Sequence, residues 1–179
     1  FNTTNNLSMA WTDVFKNPRK YGSRKDEEDY QNTDPDYEMK MSYDRYYALM
    51  AVSENPNNYN YNCYSAALNG SKHQPLERYG NMDPDARDEI IRRDYVNVSR
   101  DEAIFGRTII SFGHSHDALF LGKSRDGIIT VFTKNGAYFA PQIMELNKLV
   151  TQRPYKNIRN IEFRYEKSGG SGFYNPKTK

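Results

Sequence analysis

Short segments rich in β-branched and aromatic residues fill the second half of this chain, and they constrain its fold more than any other feature. The segments are residues 108–112, 116–121, 128–133 and 158–166. Turn signals such as Asp126-Gly127 and Asn135-Gly136 separate them. Short strands joined by tight turns pair antiparallel, so we expect a meander, with a short helix over 141–150 before the last strand.

The first half carries helix signals instead. A helix over residues 40–53 ends before Pro56, and a second begins near Cys63 and stops at Asn69-Gly70. Asp83-Pro84 is an N-cap followed by proline, and it opens a third helix that reaches about residue 94. This order predicts an α+β fold, with the helices packed on one side of a small antiparallel sheet.

Composition narrows the function classes. The 179 residues suit one domain, and an aromatic content of 14% offsets the low hydrophobic content of 37%. A net charge of +2 gives no reason to expect a nucleic-acid partner, and no apolar run reaches the length of a membrane span. The single cysteine excludes an internal disulfide bond.

Three parts are expected along the chain. Residues 1–56 are an N-terminal extension with one helix packed on the core, 57–166 are the core, and 167–179 are a flexible tail. The chain begins with Phe1 rather than Met, which suggests a domain cut from a longer polypeptide.

The first candidate for a reactive residue is Cys63. A helix N-terminus offers unpaired N–H groups and partial positive charge, which favour a thiolate and can hold an oxyanion. The alternative is an inert buried cysteine that packs like a small apolar residue.

The histidines supply a candidate base. His116 opens a predicted strand, whereas His73 lies in a loop. His114 lies two positions before His116, but no further ligand has suitable spacing, so we expect no metal site. Pairing of the predicted strands places Thr133 opposite His116, and Thr133 or Asn135 is the expected group that orients the imidazole.

Three motifs carry a family resemblance. Asn62-Cys63 precedes a short helix, His116 begins a strand that ends in Gly122, and 131–136 read Val-Phe-Thr-Lys-Asn-Gly. Together they resemble papain-like cysteine hydrolases of the NlpC type, and more closely the papain-fold domains at the C-termini of bacterial polymorphic and repeat-containing toxins. The resemblance covers about residues 57–165. Arg107 stands where that family usually has an acid.

The resemblance implies a papain-like fold and a peptidase or deamidase. Cys63 is then the nucleophile and His116 the base, while Asn62 and Tyr61 contact the oxyanion or the substrate. It implies no cofactor, a protein or peptide substrate, a cognate immunity protein, and secretion or delivery into a target cell within a larger toxin. Two alternatives stay open: a binding module with a decayed site, and a nuclease-type toxin tip, suggested by His114-Ser115-His116 and the basic C-terminus.

Overall fold

A computed structural model describes residues 56–72, 74–104, 106–124, 126–152 and 155–167. The predicted helix over 40–53 and the predicted flexible tail lie outside the described residues, except for Lys167 at the start of the tail. The three-part division of the chain therefore stays a prediction.

Two helices form where the sequence signals place them. Helix α1 spans Cys63–Ser71, and helix α2 spans Pro84–Asp94 with Asp83 as its N-cap. The Asp83 carboxylate accepts a hydrogen bond from the Ala86 backbone N–H at 2.8 Å, which satisfies one of the orphan donors of the first turn. All residues of α1 are buried, so this helix lies inside the molecule rather than on its surface.

A six-stranded antiparallel sheet supports the helices, in the order β1-β6-β2-β3-β4-β5. Its strands are β1 Tyr95–Val98, β2 Thr108–Phe112, β3 His116–Lys123, β4 Ile129–Thr133, β5 Gln142–Glu145 and β6 Ile161–Glu166. The expectation of an α+β fold is confirmed. Strands β2, β3 and β4 form the predicted meander, and β5, which was not predicted as a strand, extends it. Strand β6 does not follow on in the meander but returns to pair between β1 and β2.

The predicted helix over 141–150 is wrong in its first half. Residues Gln142–Glu145 form β5, and only Leu146–Leu149 form a short helix, α3. Ile143 pairs with Phe132 and Met144 with Val131, so the backbone of this segment finds its partners in β4. Backbone pairing at the edge of the sheet stabilises this segment more than its weak helical pattern would stabilise a helix.

The core joins α1 to the central strands. Helix α1 packs chiefly against β3. Every residue of β2 is buried, as is nearly all of β3, so both faces of the sheet are covered at its centre. Cys63 at the start of α1 and His116 at the start of β3 both belong to this buried region.

Candidate active site

Cys63 is the first residue of α1, and Asn62 is the N-cap. The Asn62 Oδ1 accepts from the Ser65 N–H at 3.4 Å, while its Nδ2 donates to the Met82 carbonyl at 2.8 Å. Tyr61 has no exposed surface, and its hydroxyl donates to the Pro56 carbonyl. The side chains predicted to serve the oxyanion or substrate therefore hold the loop before Cys63 in place.

The pKa of the Cys63 thiol is raised by some of its surroundings and lowered by others. Burial and the nearby Asp117 carboxylate raise its pKa to about 12. The backbone N–H groups of Asp117, Tyr64 and Cys63 itself act in the other direction, because they favour a negative sulfur. The first two effects outweigh the third, so at neutral pH the resting side chain is a thiol.

A chain of hydrogen bonds fixes the His116 ring. His116 Nε2 lies 2.7 Å from Thr133 Oγ1, and the Thr133 hydroxyl donates to Asn135 Oδ1 at 2.8 Å. Because the only hydroxyl proton of Thr133 goes to Asn135, Thr133 accepts from Nε2–H. The imidazole is then the Nε2–H tautomer, in which Nδ1 is unprotonated and is a hydrogen-bond acceptor.

The two predicted orienting residues thus lie together behind His116, although the predicted register is wrong. Leu119 pairs with Phe132 and Phe120 with Val131, and a bulge follows between Phe120 and Gly122. Continued toward the strand start, this register sets Thr133 two positions from the residue opposite His116. The hydroxyl reaches the imidazole diagonally across the same face.

Tyr155 completes the surroundings of the imidazole, and no sequence motif pointed to it. Its hydroxyl lies 3.2 Å from His116 Nδ1, and the two rings lie 4.5 Å apart between centroids. Tyr155 belongs to the turn after α3, far along the chain from both predicted catalytic residues. Its hydroxyl therefore lies at the ring nitrogen of His116 that carries no proton.

Burial keeps the imidazole neutral. His116 has no exposed surface, and desolvation lowers its pKa to about 3. Within the described part of the chain no hydrogen bond joins His116 to Cys63, since hydroxyls occupy both ring nitrogens. The resting site therefore holds a neutral thiol and a neutral imidazole rather than an ion pair.

A buried ion pair adjoins the site on the other face of β3. Arg87 donates from Nε to Asp117 Oδ2 at 2.7 Å and from a terminal nitrogen to Asp117 Oδ1, a bidentate arrangement. The same guanidinium bonds Asp88, which also lies 3.0 Å from Nδ1 of the exposed His114. The histidines at 114 and 116 thus have separate environments, one at the surface and one in the core.

No group of three potential metal ligands occurs among the described residues. None of the described helices is long and apolar enough to cross a membrane. Comparison with known proteins found no matching family model, no matching curated protein and no matching solved structure.

Proposed function

We propose that the chain is a papain-like, cysteine-dependent amide hydrolase in which Cys63 is the nucleophile and His116 the base. One observation carries the proposal: the Asn135–Thr133–His116 chain presents an unprotonated Nδ1. A third group that fixes the tautomer of a histidine is the usual companion of a nucleophile–base pair. Cys63 at a helix N-terminus supplies the nucleophile.

The chemistry follows from these atoms. The thiol proton passes to His116 Nδ1 as the Cys63 sulfur bonds to the amide carbon and the carbonyl electrons move to oxygen. The C–N bond then breaks, and His116 returns the proton to the leaving amine. Water, deprotonated by His116, attacks the thioester, and the C–S bond breaks to release the acid and restore the thiol.

The neutral resting pair sets a condition on this mechanism. The Tyr155 hydroxyl has to leave Nδ1, or relay the proton, before Cys63 can be activated. When a substrate carbonyl lies near the helix N-terminus, the backbone N–H groups that already act on Cys63 stabilise the negative charge as it moves from sulfur to the carbonyl oxygen.

Exposed aromatic side chains support a protein or peptide as substrate. Tyr59, four residues before Cys63, contacts Tyr138 with ring centroids 5.8 Å apart, and Phe139 directly follows Tyr138 in sequence. All three side chains are mostly exposed, with 62%, 81% and 61% of their surface accessible. Exposed apolar clusters of this kind are typical of binding surfaces.

The biological setting rests on the family resemblance. We propose that the domain is the effector part of a larger bacterial toxin, secreted or delivered into a target cell, where a cognate immunity protein would protect the producer. Peptide cleavage and side-chain deamidation share the steps given above, so both belong to the proposal.

The first experiment compares the wild-type domain with Cys63→Ala in cells that express it. We expect Cys63→Ala to abolish toxicity while the circular dichroism spectrum and the melting temperature stay close to wild type. Lys123→Met, at the far end of β3, is the matched control and should remain toxic. A fully toxic, folded Cys63→Ala variant would rule out the thiol mechanism.

A decayed binding module is the second candidate, and the thiol pKa of about 12 favours it. It predicts that Cys63 reacts with iodoacetamide more slowly than free cysteine across the pH range. Rapid alkylation near pH 6 would eliminate this candidate. The nuclease alternative gains no support, because His116 is buried and His114 is held by Asp88.

A further inference from the structure

We propose that Lys134 is a further catalytic residue, whose ammonium group stabilises the negative charge that develops at Cys63 and on the substrate oxygen. The inference rests on the proposed thiol chemistry and assigns the cation of that site. Lys134 directly follows Thr133, so the chain that fixes the base also carries the cation.

The surroundings of Lys134 are unusual for a lysine. The side chain has no exposed surface, whereas lysines are almost never fully buried without a partner. Its Nζ donates to the Gly136 carbonyl at 3.1 Å and to the Ala137 carbonyl at 2.7 Å. Both partners are neutral, and no carboxylate lies against this ammonium in the described part of the chain.

The ammonium group is aimed toward the loop that leads into α1. Nζ lies 4.6 Å from the centroid of the Tyr61 ring, two residues before Cys63. Electrostatic coupling agrees with this placement, because burial lowers the pKa of Lys134 while a negative charge on Cys63 raises it. A cation held by a ring face and two carbonyls keeps a fixed position.

One donor of the Lys134 ammonium has no acceptor among the described residues. A protonated lysine has three N–H donors, and the described residues accept only two of them as hydrogen bonds. The third N–H can bind an anionic oxygen or sulfur with a charge-assisted hydrogen bond, which is about twice as strong as a neutral one. Such a donor strengthens as charge develops, which is the requirement for transition-state stabilisation.

Alkylation of Cys63 tests the proposal without any substrate. Iodoacetate carries a negative charge and iodoacetamide is neutral, so the ratio of their rates reports a cation beside the sulfur. We expect the iodoacetate-to-iodoacetamide ratio of wild-type Cys63 to exceed that of free cysteine, and Lys134→Met to lower it about five-fold. Lys134→Arg should keep the high ratio, and Lys123→Met, an equal loss of charge at the far end of β3 from His116, should leave it unchanged.

The outcomes separate this proposal from the proposed function. A ratio unchanged in folded Lys134→Met overturns the role of Lys134, as does a wild-type ratio equal to that of free cysteine. The comparison of wild-type Cys63 with free cysteine keeps the test decisive if Lys134→Met does not fold. A ratio that falls as expected in a domain whose Cys63→Ala variant stays toxic supports the cation at Cys63 and rejects the thiol mechanism.

Discussion

His116 and Asp117 are neighbours on β3 with no exposed surface, yet the molecule buries them in different ways. His116 is kept neutral, and hydroxyl groups of Thr133 and Tyr155 meet both of its ring nitrogens. Asp117 faces Arg87, whose guanidinium binds both of its carboxylate oxygens. Alternation along the strand sends the two side chains to opposite faces of the sheet.

If the proposed function is right, one strand serves both chemistry and stability. A neutral imidazole in a hydrogen-bonded chain can still accept a proton when its surroundings change, which a base requires. A buried ion pair has no such freedom, because removal of either partner leaves a charge without compensation. Asp117 affects the pKa of the Cys63 thiol in two ways: its carboxylate raises this pKa, and its backbone N–H lowers it.

The largest effect should follow from breaking the ion pair. Arg87→Met leaves the Asp117 carboxylate buried without its cation, and we expect the free energy of unfolding to fall by about 3–5 kcal/mol. Urea denaturation measures the change. Arg92→Met removes an exposed arginine from the same helix and should cost less than about 0.5 kcal/mol.

A second variant distinguishes the lost pairing from lost packing. Asp117→Asn in the Arg87→Met background removes the uncompensated charge, so at least half of the lost stability should return. If the double variant is as unstable as Arg87→Met alone, the contribution of Arg87 is packing rather than charge.

The next effect concerns the neutral side of the comparison at acid pH. His116 has a folded pKa of about 3, against about 6.5 in an unfolded chain. Below about pH 6.5, His116 is therefore protonated in the unfolded state but stays neutral in the folded state. The free energy of unfolding should fall by about 1.4 kcal/mol per pH unit as the pH drops toward 3.

His116→Gln isolates this contribution. The variant keeps a polar side chain but does not titrate, and the carboxylates that also protonate in this range are the same in both proteins. The stability of His116→Gln should fall less steeply between pH 6 and pH 4 than that of wild type. Parallel slopes would mean that His116 is not held neutral by burial.

Local signals predicted the parts of this comparison that depend on neighbours in sequence. Asp83-Pro84 marked the start of α2, and Cys63 proved to be the first residue of α1. The β-branched runs located β2, β3 and β4, because alternation and turn residues are properties of short segments. Thr133 and Asn135 followed from the hairpin, which brings residues together at a short sequence distance.

Long-range contacts escaped prediction for a physical reason. The bulge after Phe120 changes the β3–β4 register, and no turn signal announces it. Tyr155 reaches His116 from 39 residues away, and Arg87 reaches Asp117 from 30 residues away. These partners are chosen by tertiary packing, which one sequence does not display.

A smaller effect should follow when the hydrogen-bond chain from Asn135 through Thr133 to His116 is broken. Thr133→Val keeps the shape of the side chain but removes the acceptor of His116 Nε2–H, so a buried donor is left unpaired. We expect a loss of about 1–3 kcal/mol in stability, measured by urea denaturation. Thr130→Val, on the same strand but half-buried, is the control and should change stability by less than about 1 kcal/mol.

Nitrogen-15 NMR of the imidazole adds a readout that a packing defect would not move. Wild type should show the Nε2–H tautomer, and Thr133→Val should show a mixture with Nδ1–H. An unchanged tautomer in Thr133→Val would show that Tyr155, rather than Thr133, orients the ring.

The smallest change should come from Tyr155→Phe, which removes the hydroxyl from His116 Nδ1 while the ring stays in place. A hydrogen bond donated to Nδ1 stabilises the neutral imidazole, so its loss should raise the His116 pKa by less than about one unit. NMR titration measures this shift. Tyr165→Phe is the control, because the Tyr165 hydroxyl is buried on β6 without a hydrogen-bond partner among the described residues.

The same variant decides how Tyr155 affects the thiol. If the hydroxyl only blocks Nδ1, Tyr155→Phe frees the base, and Cys63 should react faster with iodoacetamide at neutral pH. If the hydroxyl relays the proton from sulfur to nitrogen, the reaction should slow instead. A faster reaction would mean that the Tyr155 hydroxyl keeps the neutral His116 imidazole from acting as a base in the resting protein. In this respect His116 would differ from Asp117, whose ion pair with Arg87 is fixed.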